Sequence, residues 1–216
     1  MPYAERRQRL AALIGDHALA LVFANAPALR NGDVDYPFRQ HSDFNYLTGL
    51  TEPQAALVVL GGTGDSILFN RPPDADAEQW TGARLGQAAA PAQLGVQAAY
   101  PIQDLSQQLP TLMQHKACLY YLKTQDAQAH ALLFAPSAAR AAEPGPNQWH
   151  DLNPLLSELR LLKDDTEIAA LKKAVSISVQ AHHAMMRACK QARYEYHLDA
   201  LWRYHVMHQG CDQVAY

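Results

Sequence analysis

The apolar pattern of this chain changes character once along its length, and that change constrains the fold more than any other feature. Up to about residue 142, runs of strand length alternate with helix-period segments. The runs are residues 18–24 (ALALVFA), 55–60 (AALVVL), 66–70 (SILFN) and 117–122 (ACLYYL). Residues 143–154 (EPGPNQWHDLNP) then bring three prolines and a glycine. Beyond them two long helical patterns take over. A short apolar run of strand length reads as a buried strand, and alternation of strands with helices implies an α/β domain. The Pro-rich segment reads as a boundary. The expected organisation is one α/β domain over 1–150 and an incomplete second region over 155–216. About sixty residues of paired helix are too few for a separate core.

Within the first region, residues 4–14 predict an amphipathic helix, with Leu10, Leu13 and Ile14 on one face and the arginines on the other. Residues 26–45, with Pro27, Gly32 and Pro37, predict a long loop carrying aromatics. Gly61-Gly62-Thr63-Gly64-Asp65 joins two strand-like runs as a hairpin. The stretch 71–86 is irregular at first, over Arg71-Pro72-Pro73-Asp74. A helix is expected over 104–115, with Leu105, Leu109 and Leu112 inward despite Pro110, and an Ala-rich one over 127–142. In the second region, Asp164 and Glu167 form a capping-box pair opening a helix to residue 189. Ile168, Leu171, Val175, Val179, Met186 and Cys189 make an apolar stripe that needs a partner surface. A last helix, 195–209, should bury Leu198, Leu201, Trp202 and Val206 and stop at Gly210. Residues 213–216 (QVAY) look like a strand beginning.

Charge narrows the function classes. Eighteen Lys and Arg against 21 Asp and Glu leave a net charge of −3. That balance argues against nucleic acid and against a polybasic membrane surface. There is no apolar run of about 18 residues and no hydrophobic segment adjoining the first residues, so neither a membrane span nor a secretory signal is expected. Three scattered cysteines, Cys118, Cys189 and Cys211, fit a reducing compartment. The expectation is a cytoplasmic protein.

Motifs for chemistry are sparse. His182 and His183 are adjacent on a helix and point about 100° apart, which suits packing or solvent better than one metal. His205 and His208, three apart, could share a face, but neither HExxH nor CxxC accompanies them. The glycines at 61, 62 and 64 fit no phosphate loop, and Gly-x-Ser-x-Gly is absent. Asp164 and Asp165 suit a helix start, Asp33 and Asp35 suit turns, and Cys189 on the stripe reads as inert core. Trp80 resists a bland account. Set among polar neighbours in a Pro- and Asp-rich connection, it either anchors its loop or is presented to a partner or ligand.

Four blocks resemble bacterial Xaa-Pro aminopeptidase (aminopeptidase P) of the creatinase and prolidase superfamily. They are residues 36–49 (YPFRQHSDFNYLTG) with Glu52-Pro53, residues 68–71 (LFNR), residues 78–86 (EQWTGARLG), and residues 158–163 (ELRLLK) with Glu167-Ile168. The resemblance covers nearly the whole chain. It implies a mixed sheet flanked by helices, followed by the first helices of a "pita-bread" catalytic domain. In that family two metal ions, usually manganese, are held by two Asp, one His and two Glu, and a bridging hydroxide attacks the scissile bond. Hard carboxylate ligands suit manganese, and paired metals acidify a bound water. The family removes the N-terminal residue from peptides with proline second.

The same resemblance implies that Trp80 lines a neighbouring subunit's substrate pocket, in trans, within a homo-oligomer. It also matches Tyr216 to a pocket-lining tyrosine at the start of the first catalytic strand. The five ligands and the family's proton-shuttling His match positions beyond Tyr216, so no metal ligand is assigned within these residues, and the chain by itself is expected to be inactive. A rival expectation comes from the same fold serving as a non-catalytic binding scaffold, as in a histone chaperone subunit. Prolidase or creatinase specificity is a third.

Overall fold

The computed structural model describes residues 2–123 and 145–211. They form two compact units that divide between Leu161 and Leu162. The first unit is built on a six-stranded mixed sheet. Its strands are β1 (Ala18–Phe23), β4 (Ala56–Leu60), β5 (Ser66–Asn70), β6 (Ala98–Pro101), β7 (Cys118–Tyr121) and β8 (Gln148–Asp151), in the order β6-β5-β4-β1-β7-β8. β4 and β5 are the expected hairpin, with Ala56 opposite Phe69 and Val58 opposite Ile67. β1 is antiparallel to β4 and parallel to β7, while the β5–β6 and β7–β8 pairs are parallel.

Side-chain alternation sends each strand into two cores. Ala18, Ala20, Val22, Leu57, Val59 and Leu68 face one side. There they meet Leu10 of α1 (Pro2–Ile14), Phe44 and Leu47 of α2 (Ser42–Thr48), and Ala90 and Leu94 of α4 (Gly86–Leu94). Leu19, Leu21, Val58, Phe69, Leu119 and Tyr121 face the other side, against Leu105, Leu109 and Met113 of α5 (Leu105–Met113). Double-sided burial is why these strands read as unbroken apolar runs. The first unit continues past the Pro-rich segment, because Leu152, Leu156 and Leu159 around α6 (Asn153–Leu159) are buried in the first core.

Several local readings are corrected. Arg6 and Arg7 are buried, not on a solvent face, whereas Leu13 is half exposed. Residues 26–45 hold a small ribbon, β2 (Leu29–Asn31) with β3 (Val34–Asp35), and the start of α2. After the irregular start at residues 71–74, where no element is expected from the sequence, the chain forms a short helix, α3 (Ala75–Thr81). The helix expected over 127–142 lies outside the described residues.

The second unit is a helix pair. α7 (Asp165–Ala188) opens with both halves of the capping box, since Glu167 N–H donates to Asp164 and Asp164 N–H donates to Glu167. It packs on α8 (Glu195–His208) through Ile177, Ala181 and Val206, with Trp202 partly buried beside them. Ile168, Leu171, Val175, Val179 and Met186 are all exposed. Cys189, read as inert core, is exposed too. No helix among the described residues is long and apolar enough to cross a membrane.

Candidate functional site: the Trp80 arm

Between β5 and α4 the chain leaves the sheet, makes α3 and returns. The local sequence dictates how. Asp74 caps α3 by accepting from Ala77 N–H at 3.1 Å, and the Glu78 carboxylate accepts from Asp74 N–H at 3.1 Å. This is the reciprocal capping that acids at a helix start provide. Gly82 ends the helix at φ +81°, its N–H donating to Glu78 O at 3.0 Å. No residue of α3 is buried. Trp80, near its end, is 90% exposed. It therefore does not anchor its own loop.

The anchoring is polar and lies at the neck of the arm. Asn70 Nδ2 donates to Gly86 O at 3.2 Å, and Gln87 Nε2 donates back to Asn70 O at 3.0 Å. Glu52 accepts from Leu85 N–H at 2.6 Å and faces Arg71 at 3.5 Å. Arg84 donates to Pro72 O at 3.0 Å and lies 3.8 Å from Asp74. Gly86 sits at φ +66°, where an added Cβ would stand 2.8 Å from the Pro73 ring. Only glycine serves both the backbone angle and the close approach. Composition gave no hint of this stitched stem, because each tie joins residues that read as ordinary loop polars.

The 36–49 block is structural. Gln40 Oε1 accepts from the backbone N–H of Asn25 and of His41, both at 2.9 Å, and its Nε2 donates to Leu50 O at 3.1 Å and Glu52 O at 2.7 Å. His41 caps α2 through Nδ1, which accepts from Asp43 N–H at 3.2 Å. Arg160 pairs with Asp43. Thr48 and Gly49 close the helix, Gly49 at φ +70° against the Tyr3 ring. Arg7 is the residue that sequence reasoning missed. It is only 1% exposed and donates to Ser66 Oγ, Leu47 O, Leu94 O and Gly95 O at 2.6–2.9 Å. Burial lowers its pKa to about 10.

His182, His205 and His208 are packing or surface residues. His182 Nδ1–H donates to Ser178 O at 2.8 Å and its ring meets Trp202 edge-on. His205 and His208 both contact the Tyr204 ring. Among the described residues, no three His, Cys, Asp or Glu are grouped to hold a metal. Tyr216 lies outside the described residues.

Comparison with known proteins agrees with this architecture. The sequence profile of "Aminopeptidase P, N-terminal domain" matches residues 3–140. The Xaa-Pro aminopeptidase of Escherichia coli K12 is 36% identical over 99% of this chain and 50% of its own length. Human Xaa-Pro aminopeptidase 3 is 29% identical over 99% of this chain and 45% of its own length. Among solved structures, aminopeptidase P from E. coli with the inhibitor Pro-Leu superposes with a TM-score of 0.91 at 36% identity, over 97% of this chain and 49% of that one. Proline aminopeptidase P II from Yersinia pestis gives 0.90 at 38% identity, over 100% and 51%. The chain thus spans about half the length of the relatives it matches. A mixed sheet flanked by helices, a family profile that matches residues 3–140 and a 36% identical relative that matches 99% of the chain lead to one assignment: this chain belongs to the aminopeptidase P family.

Proposed function

We propose that this chain is the N-terminal domain, with the first catalytic-domain helices, of a cytoplasmic metal-dependent Xaa-Pro aminopeptidase. The parent enzyme removes the N-terminal residue from peptides with proline in second position. The first unit serves oligomerisation and substrate access, and Trp80 enters a neighbouring subunit's pocket, with Tyr216 lining the pocket of its own. The observation that carries this reading is an almost fully exposed indole held on a stitched arm. An aromatic of that size costs solubility when bare and adds much apolar contact when covered.

The described residues do not fit two manganese ions, since they hold no ligand group, and no step is routed through metal. The manganese pair belongs to the proposed parent enzyme. The contribution of these residues is shape. Trp80 offers a flat apolar wall that excludes water and limits how a proline-containing peptide can lie.

Two assays test the reading together. The purified 216-residue chain, given manganese and a peptide with proline second, is expected to release no amino acid. In a polypeptide of the relatives' full length, Trp80→Ala is expected to lower kcat/KM by about tenfold or more, the worth of a partly buried aromatic contact. Trp80→Phe should retain part of it. Turnover by the short chain, or an unchanged kcat/KM for Trp80→Ala, would defeat the proposal.

A further inference from the structure

We infer that Glu52 is a positioning residue that fixes where Trp80 stands, acting through the neck of the arm and not by touching a ligand. The inference deepens the reading of Trp80 as a pocket wall and rests on it.

Glu52 lies outside the arm, in the segment leading into β4. Its carboxylate reaches both ends of the arm at once. Oε1 accepts from Leu85 N–H at 2.6 Å, just before α4, and Oε2 faces Arg71 Nη2 at 3.5 Å, just after β5. An ionised carboxylate has two acceptor oxygens, one for each strand of the neck. Its own backbone is held in turn, because Gln40 Nε2 donates to Glu52 O at 2.7 Å. A continuous set of hydrogen bonds therefore runs from the entrance of α2, through Gln40 and Glu52, to the base of the Trp80 arm.

The energetics make this closure decisive. α3 buries none of its residues, so among the described residues apolar packing does little to hold its direction. The polar ties at the neck are what hold it. Arg71 is largely buried, and its Nε has no acceptor among the described residues. Among the described residues, the anion it meets is Glu52. Removing the carboxylate leaves a largely buried cation uncompensated, and the neck opens to hydrate it. Arg84, tied to Pro72 and Asp74, stiffens the stem above that closure but does not bridge the arm to the rest of the unit.

The test uses the 216-residue chain labelled with 5-fluorotryptophan. Its three tryptophans, Trp80, Trp149 and Trp202, give three fluorine resonances, assigned by single Trp→Phe substitutions. Glu52→Ala is expected to shift or broaden the Trp80 resonance and leave Trp149, which packs edge-on against Tyr121, where it was. The Leu85 amide should exchange about tenfold to a hundredfold faster, the worth of one hydrogen bond to a charged acceptor. Glu52→Gln keeps an acceptor for Leu85 but removes the charge opposite Arg71. It should move Trp80 by less and leave Leu85 protected. An unmoved Trp80 resonance with unchanged Leu85 exchange in Glu52→Ala overturns the inference. If Glu52→Ala displaces Trp149 as well, the fold has been disturbed and Glu52→Gln decides: movement of Trp80 alone supports the inference, and an unmoved Trp80 overturns it. None of these readouts needs turnover. Loss of the pocket reading by the Trp80→Ala assay would thus be separate from loss of the Glu52 assignment.

Discussion

At the scale of single residues, the most consequential group is a charge in the wrong place for a helical wheel. Arg7 follows Arg6 on α1, and both look like solvent-facing residues when periodicity alone is used. The guanidinium instead enters the first core and is satisfied by a serine hydroxyl and three carbonyls from three separate parts of the chain. Desolvation pulls its pKa down to about 10, yet it stays charged at neutral pH. Arg6 is buried by a different route, its guanidinium 4.3 Å from the centre of the Tyr46 ring. Neither environment is visible in sequence, because every acceptor is a backbone group or a residue distant along the chain. Trp80 was more legible, as a large aromatic with no local reason to be there. Arg7→Met should cost about 3–5 kcal/mol, since it removes a buried donor set and leaves several carbonyls unpaired. Thermal unfolding followed by near-UV circular dichroism should show the first unit melting roughly 6–20 °C lower. A melting point within a degree or two of the parent chain would contradict this account.

At the scale of elements, the strands were the most readable part and the short helices the least. β1, β4 and β5 announce themselves because both faces are largely buried, and β7, with one face only partly buried, because almost every residue is apolar. β6 and β8 are short edge strands, only partly buried, and carry no such run. α4 contains Pro91 and few large side chains, and α6 starts at the end of a Pro-rich stretch that looks like a linker. Tertiary packing of Leu94, Leu156 and Leu159 decides those helices, not propensity. α2 depends on a cap that titrates. Burial lowers the pKa of His41, and Arg160 lowers it further while Asp43 opposes the shift. The neutral imidazole is the form that accepts from Asp43 N–H. A histidine with a depressed folded-state pKa contributes stability that is complete above its unfolded value near 6.5 and fades as pH falls through that value toward the folded one. His41→Asn supplies a cap that does not titrate. Urea midpoints measured between pH 7.5 and 5 should fall more steeply for the parent chain than for His41→Asn. Parallel pH profiles would show that the His41 cap contributes nothing to the acid response.

At the scale of the whole molecule, the two units differ in how far each has satisfied its own apolar surface. The first closes two cores around one sheet. The second closes only a narrow seam around Ile177, Ala181 and Val206. The stripe from Ile168 to Met186 was legible as a 3.6-residue periodicity, but periodicity does not say which face meets the neighbouring helix. α8 takes the small-residue face, where Ala181 and Ala184 permit close approach, and leaves the larger side chains outside. Met186 is 73% exposed and Val175 61%. A contiguous apolar strip on a regular helix favours association, against the entropy lost when two molecules join. The 216-residue chain is therefore expected to self-associate, with a light-scattering mass above its 23.9 kDa monomer that rises with concentration. Val175→Glu combined with Val179→Glu places two like charges one turn apart on the strip and should weaken the concentration-dependent rise in mass without loss of helix, because neither residue belongs to the seam with α8. A parent chain that stays at monomer mass from micromolar to near-millimolar concentration would show that the strip is too narrow to overcome the cost of association.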